Sequence, residues 1–485
     1  MTGVQTCALP IYVTDTDGSA ARVNAVGAGK LSAGGALNVA ATLDPATIEF
    51  GALTTTTVSS SITVNVVNVS AATATFTFTV QPRDSSSATV TVSPSTLTLT
   101  AAGTAGSTNS VAVTLKGNRP AAGSYEGLIL VQGGGGTLRL PYQYLVGSGV
   151  VADVFPVYDG GFIAPPADTG WPIQPRAIDA YGVPVLSVPV TFSAGTGGGA
   201  ISEGDQQTYR YGVATGFVNL GPQLGTQIFY GTVGGISTEF DGYARPFPAI
   251  DSVVDAAAFQ GNQGLAPGSY ITIQGTNLAD ATQVFSTGYL PVSLSAVSVS
   301  FDGGGLSLPG HLYFVSPGQI NVQVPWEFQG QTSVSMKVSV TGNESYLQSS
   351  LYTVPLAAYC PNFFERSGIV AAIDYNTGTV VGASDPVKRG DLVELYVNGL
   401  GPVTNQSSVI SGQPSPVSPL AQSPTLPTVT IGGVNATVGF SGLAPGIVGL
   451  YQVNVTVPAG VPSGTQPVVL SIGGVSTQTS QLPVQ

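Results

Sequence analysis

Stretches of this chain alternate strictly between apolar residues and hydroxyl or amide residues, and that alternation constrains the fold more than any other feature. Ile62-Thr63-Val64-Asn65-Val66, Phe76-Thr77-Phe78-Thr79-Val80, Val90-Thr91-Val92 and Leu97-Thr98-Leu99 each set every second side chain on one face. A period of two belongs to a strand with one dry side, not to a helix. Threonine suits the other side, because its hydroxyl is solvated and its branched Cβ favours the pleat. Turn signals rich in Gly and Pro interrupt these runs about every 8–12 residues, the spacing of a β-sandwich. The expected fold class is all-β, a tandem array of β-sandwiches with one short N-terminal helix.

Hydroxylated wet faces also explain why only 8% of the 485 residues are charged, against about 25% in an ordinary soluble domain. The 13 Lys+Arg against 25 Asp+Glu give a net charge of −12 with no basic cluster, which excludes a footprint for nucleic acid or an anionic membrane surface. A single His removes the raw material for His-based metal sites and for most His-dependent catalysis. No apolar run approaches the roughly 18–20 residues of a membrane span. The richness in Val, Thr and Ile argues against disorder.

Six segments follow one another. Met1-Thr2-Gly3-Val4-Gln5-Thr6-Cys7-Ala8-Leu9-Pro10-Ile11 lacks the basic start and apolar stretch of a secretory signal. It resembles the translation of a sequencing adapter, so 1–11 is read as an artefactual leader and Cys360 as the one cysteine of the genuine chain. Within 12–41, Val26-Gly27-Ala28-Gly29-Lys30-Leu31 leads to Ser32-Ala33-Gly34-Gly35-Ala36-Leu37, where Ser32 would cap one short helix. This stretch resembles the tail of the catalytic domain in subtilisin-like serine proteases. It departs from that pattern at Ser32, where Asn or Asp is usual, and in the additional Gly34-Gly35. Residues 42–148, closed by a hairpin from Gly123–Val131 and Thr137–Tyr142, resemble the fibronectin-III-like domain that follows the catalytic domain in cell-envelope subtilases.

Residues 150–246 carry Asp179-Ala180-Tyr181-Gly182 between apolar strands, then Val190-Thr191-Phe192, and resemble a bacterial Ig-like domain of the invasin and intimin type. Residues 250–485 are duplicated. Ser316–Pro325, containing Gln319-Ile320-Asn321-Val322, is echoed by Gly449–Pro458, containing Gln452-Val453-Asn454-Val455. Ala266–Ile273 pairs with Lys388–Leu395, and Gly275-Thr276-Asn277-Leu278 with Asn398-Gly399-Leu400-Gly401. The copies, 250–360 and 361–485, resemble IPT/TIG-like sandwiches and a C-terminal family of uncharacterised function in acidobacterial secreted proteins. Pro361–Pro386 reads as the linker between them, and the Pro/Ser-rich 411–427 as a long loop inside the second.

Chemistry-bearing residues are few. His311 enters a strand after Pro309-Gly310 and reads as a surface or strand-end residue. Cys360, between Tyr359 and Pro361 with Arg366 the nearest base in sequence, reads as a small core residue and not a nucleophile. Asp15-Thr16-Asp17-Gly18 is half a calcium loop and lacks the distal Glu, so a turn is expected. The glycine runs Gly133–Gly136, Gly197–Gly199 and Gly303–Gly305 precede no helix and carry no P-loop Lys, so hairpin loops are expected. Asn343-Glu344-Ser345 and Asn435-Ala436-Thr437 are formal glycosylation sequons of a kind chance supplies in a Thr-rich chain. Trp171, Tyr209 and Tyr211 could line a sugar face, though Tyr is also an ordinary strand residue.

The expectation is therefore no catalytic, cofactor-binding or metal residues and no cofactor in this chain. The resemblances imply the non-catalytic C-terminal part of a secreted subtilisin-like endopeptidase, with the catalytic domain missing by truncation. They also imply an extracellular or cell-surface setting, and cell-wall, polysaccharide or protein ligands as partners. The competing expectation is an adhesin or carbohydrate-binding stalk.

Overall fold

The structure, a computed structural model, describes residues 21–27, 39–157, 161–259, 264–285 and 288–485. Strands take up 53% of the described residues and no described helix reaches seven residues, so every layer is a sheet. The protein is an all-β tandem array of Ig-like sandwiches. The described helix is a single turn, Val23–Val26. The helix expected after Ser32, the Asp15–Gly18 turn and the leader 1–11 all lie outside the described residues.

In the first sandwich, Thr57–Asn68 and Thr108–Asn118 pair antiparallel along their length, flanked by Ala41–Asp44 and Ala88–Ser93. The facing sheet runs Ile48–Ala52, Gly136–Val146, Gly123–Gly133, Ala74–Pro82, Thr96–Leu99. Along Thr57–Asn68, Val58, Val64 and Val66 are buried while Ser59, Ser61, Thr63 and Asn65 are exposed. The core takes in Ala40 and Ala41, with Val39 packed against it.

The wet faces show what replaces charge. Ser61 and Thr114, Thr75 and Thr98, Thr232 and Ser237, Ser335 and Thr353, and Ser471 and Ser476 are directly opposed cross-strand partners. Each pair joins hydroxyl to hydroxyl at 2.7–3.0 Å. Each such pair contributes roughly 0.2–1 kcal/mol where an ion pair would otherwise stand.

The hairpins are equally regular. Gly134-Gly135, Gly234-Gly235, Gly304-Gly305, Gly432-Gly433 and Gly473-Gly474 are two-residue turns with φ between 56° and 87° at every position. Turns with φ positive at both central residues match the twist of the strands and favour glycine. Gly197–Gly199 is not a hairpin: it joins Val190–Ala194 to Ala200–Gly204, which lie in different sheets.

The second sandwich sets Phe162–Ala164, Ile236–Ala244, Gly225–Val233 and Val190–Ala194 against Trp171–Ile173, Gly216–Asn219 and Ala200–Gly204. In the third, Ala249–Asp255, Tyr270–Thr276, Gln319–Gln323 and His311–Ser316 face Leu306–Pro309, Val297–Gly303, Ser333–Thr341, Tyr346–Gln348 and Tyr352–Pro355. The fourth repeats this plan. Leu392–Asn398 pairs with Tyr451–Thr456 as Tyr270–Thr276 pairs with Gln319–Gln323. Thr428–Ile431 pairs with Gly464–Ile472 as Val297–Gly303 pairs with Ser333–Thr341.

Even a register shift recurs, at Leu312/Phe314 in one copy and Val438/Phe440 in the other. Copy two runs one strand, Val434–Leu443, through both layers, where copy one breaks at Gly310.

Two sequence expectations are corrected. Opposite Leu278 stands Leu400, both fully buried, and opposite Asn277 stands Gly399, both with positive φ. The pairing of Gly275 with Asn398 is thus one residue out of step. Pro361–Pro386 is not a linker: Asn362–Phe363 and Ala372–Asp374 pair with Leu392–Asn398, and Phe363, Val370, Ala372 and Val381 belong to the fourth core. Sparse apolar residues without alternation concealed these short strands.

Candidate functional site

Several polar side chains buried in the third and fourth sandwiches, Asp255, Gln323, Asn398 and Ser411 among them, meet at the joint between them. Asn398, fully buried, donates from Nδ2 to the Tyr270 carbonyl at 2.7 Å and accepts the Tyr270 N–H on Oδ1 at 3.1 Å. Those are the two bonds a neighbouring strand would make. Its Nδ2 also donates to Asp255 Oδ2 at 2.6 Å, while Asp255 Oδ1 accepts the N–H groups of Ala257 and Ala258 at 2.8 and 2.9 Å. Burial outweighs these bonds and pushes the Asp255 carboxyl up to about 6.

A second clamp lies at the other side of the joint. Gln323, also fully buried, donates to the Gly268 carbonyl at 3.0 Å and accepts the Gly412 N–H at 2.7 Å. Ser411 accepts the Trp326 N–H and donates to Glu327, each at 3.0 Å. Residues 411–412 of the Pro/Ser-rich loop thus seat on the third sandwich. Trp326 crosses the joint, buried in the fourth core with its ring centroid 6.4 Å from that of Tyr451.

Between the clamps a cavity of about 280 Å³ opens. Tyr270, Tyr313 and Asn321 form one wall; Phe364, Ile447, Val448 and Leu450 form the other. The Tyr270 and Tyr313 rings meet edge to face at 6.1 Å and 70°. The register shift in the Leu312–Phe314 stretch presents Tyr313, which is 41% exposed. In the second copy Gly439 occupies that place. Asn321 Oδ1 is held by Thr272 and Gln319, and the second copy repeats the Gln-to-Asn bond between Gln452 and Asn454 at the same 2.8 Å.

His311 opens the strand His311–Ser316, at a strand end as expected, and is half-buried. It packs against Gly412, its Nδ1 is buried without a hydrogen bond, and burial lowers its pKa against the opposing pull of Glu327. Cys360 is a free, buried thiol pushed up to about 12, chiefly by burial and further by Asp255. Tyr270 is also raised, by burial first and Tyr313 second. Every one of these shifts favours the neutral form, burial being the first cause in each. Nothing in the composition marked the joint, but the repeat did: Tyr270, Gln323 and Tyr313 are positions where copy two has Leu392, Thr456 and Gly439.

Trp171 stacks on Phe162 at 4.7 Å and donates from its indole to Asp168 at 3.0 Å, as part of the second core's margin. Tyr209 and Tyr211, both more than half exposed, sit at a separate turn, Arg210–Gly212. Asp179 holds its own turn by accepting the N–H groups of Tyr181 and Val183 and reaches the Ser148 N–H at 2.5 Å, tying the first sandwich to the second.

The second and third units are joined by Ser345, which donates to the Ile163 carbonyl and accepts its N–H, both at 2.7 Å. Ile163 itself enters the third core, and Arg245 donates to the Asn277 carbonyl at 2.6 Å.

No family model matches the chain, and no curated protein matches it. Solved structures similar to it include invasin, a bacterial integrin-binding protein, at 12% identity over 89% of this chain and 79% of that one, with a TM-score of 0.19. The ICAM-5 D1–D4 ectodomain fragment is 12% identical over 92% and 99%, TM-score 0.19. The D0–D1 domain of intimin is 15% identical over 42% and 94%, TM-score 0.17. At such scores these likenesses carry no argument, and the fold rests on the sheets described above. Among the described residues no helix is long and apolar enough to cross a membrane.

Proposed function

We propose that this chain is a stiff, non-catalytic accessory array of an extracellular protein. In it the sandwiches space and dock a partner domain, and that domain is a secreted subtilisin-like serine protease. The observation that carries the reading is the cementing of the joints. Asn398 and Gln323 each make bidentate contacts, one of them directly across the joint to the Tyr270 backbone and the other to Gly412. Ile163 and Trp326 each leave their own sandwich for the core of the next. A buried polar group left unpaired costs roughly 1–3 kcal/mol, so bending any such joint is opposed. Stiffness of this kind serves positioning, which is what a spacer supplies.

The protease parentage rests on the Val26–Leu37 resemblance and on the order of the modules after it. Amplifying and reading the genomic sequence upstream of codon 12 tests it: a Gly-Thr-Ser-Met-Ala-type nucleophile segment is expected, and a further Ig-like module would refute it. The full chain incubated with casein and a serine-directed phosphonate is expected to show neither cleavage nor labelling. Labelling would overturn the non-catalytic reading.

The alternative, an adhesin or carbohydrate-binding stalk, is favoured by one feature, the Tyr270–Tyr313 cavity. Glycan-array binding lost on Tyr313→Ala would move the assignment to that reading.

A further inference from the structure

At one end of the first sandwich a cavity of about 380 Å³ is lined by Asp84, Ser86, Tyr125, Glu126, Tyr142 and Tyr144. Tyr125 and Tyr144, cross-strand partners, stack at 5.2 Å and 10°. Glu126 has a side chain only 1% exposed. Its Oε1 accepts from Arg83 Nη1 at 3.0 Å, and its backbone N–H donates to Asp84 Oδ2 at 3.1 Å. Its Oε2 is buried and has no hydrogen bond.

What faces Oε2 is Arg22, on the turn of chain that precedes the sandwich. Its Nη1 lies 3.7 Å away and also donates to the Ser124 carbonyl at 3.4 Å, while Nη2 reaches Asp84 Oδ1 at 3.4 Å. The helical turn Val23–Val26 that follows Arg22 packs against strand Gly136–Val146. Three acceptors, two on strand Gly123–Gly133 and one on the loop after Ala74–Pro82, are thus arranged around one planar fork. A guanidinium addresses two carboxylates and a carbonyl together, whereas an ammonium is a point charge that cannot. Arg83 holds Oε1 and Arg22 is the charge facing Oε2, so withdrawing Arg22 leaves half of a buried carboxylate without its facing cation, which is unfavourable.

We propose that the acceptor cluster of Asp84, Glu126 and the Ser124 carbonyl, at the margin of this cavity, is an arginine socket, an interaction surface whose partner is a guanidinium carried on a polypeptide. Arg22 is its resident and latches the segment before the first sandwich onto the sheet. When Arg22 is withdrawn, an arginine side chain from outside takes its place. The proposal does not depend on the protease parentage or on the stiffness of the later joints.

The test uses the full chain, with thermal unfolding and calorimetric titration of N-acetyl-arginine amide and N-acetyl-lysine amide. Wild type is expected to bind neither. Arg22→Ala should lower the melting temperature of the first sandwich and gain saturable binding of the arginine amide, with the lysine amide at least about tenfold weaker. Arg22→Ala/Glu126→Gln should lose that binding. Arg22→Ala/Asp84→Asn provides the same comparison through a more exposed carboxylate if the Glu126 variant fails to fold. Arg22→Ala with unchanged melting and no arginine binding would overturn the proposal, as would equal binding of the two amides.

Discussion

Asn398 stands in for a strand: one side chain satisfies the N–H and carbonyl of Tyr270 and a buried carboxylate. Asn398→Ala removes one bond from each, although the Asp255 carboxylate keeps the Ala257 and Ala258 N–H groups and the Tyr270 carbonyl keeps that of Ala256, and a loss of about 2–4 kcal/mol is expected for the third and fourth sandwiches, read from denaturant unfolding. Asp255 adds a pH dependence. Its folded pKa, raised from 3.8 to about 6, means that the fold prefers the neutral carboxyl. Its contribution is therefore fully present below about pH 4 and lost as pH rises through about 6, a change of about 3 kcal/mol. Asp255→Asn should flatten the stability profile across that window, and an unchanged slope would remove Asp255 as its source. The sequence carried Asn398 and Gln323 only as departures between two copies, because a buried Asn or Gln has no periodicity to announce it, and Asp255 is matched by Asp374 at the same place in the second copy. Asp255, Asn398 and Gln323 became visible as a set only once chain topology brought them to one joint.

Elements were far more legible than contacts. The alternation along Ile62–Val66 and Phe76–Val80 specifies dry and wet faces directly, and the Gly-Gly pairs specify their turns. The short strands within Pro361–Pro386 were not legible, since two or three residues cannot show a period, and neither was the seating of residues 411–412. That seating makes a sharp prediction. Gly412 has φ 72°, and a Cβ there would meet the His311 ring at 2.0 Å. Gly412→Ala should strip the loop from the third sandwich, seen as faster amide exchange at Leu290, whose N–H is held by the Gly412 carbonyl at 2.8 Å. On the wet faces the opposite is expected. Thr114→Val removes one hydroxyl of an exposed pair and keeps the branched Cβ, so chemical denaturation should register a change within about 1 kcal/mol.

For the whole molecule the consequence is cooperativity. Sandwiches that share core residues and buried clamps should not melt independently, so calorimetry of the full chain should show the third and fourth as one transition. Gln323→Ala should split it, by removing the Gly412 and Gly268 bonds together. The low charge takes its meaning at this scale as well: paired hydroxyls cover the sheets, and among the buried ionisable groups Asp179, Arg245 and Asp255 stand where one unit meets another. The most direct measurement of the stiff-array account is a pulsed electron-spin distance between labels at Ser307→Cys and Ser476→Cys, both exposed positions, in the full chain carrying Cys7→Ser. The buried Cys360 stays unlabelled. One narrow distance distribution, broadened by Asn398→Ala, is the result predicted; a broad distribution in the parent protein, unaltered by Asn398→Ala, would contradict it.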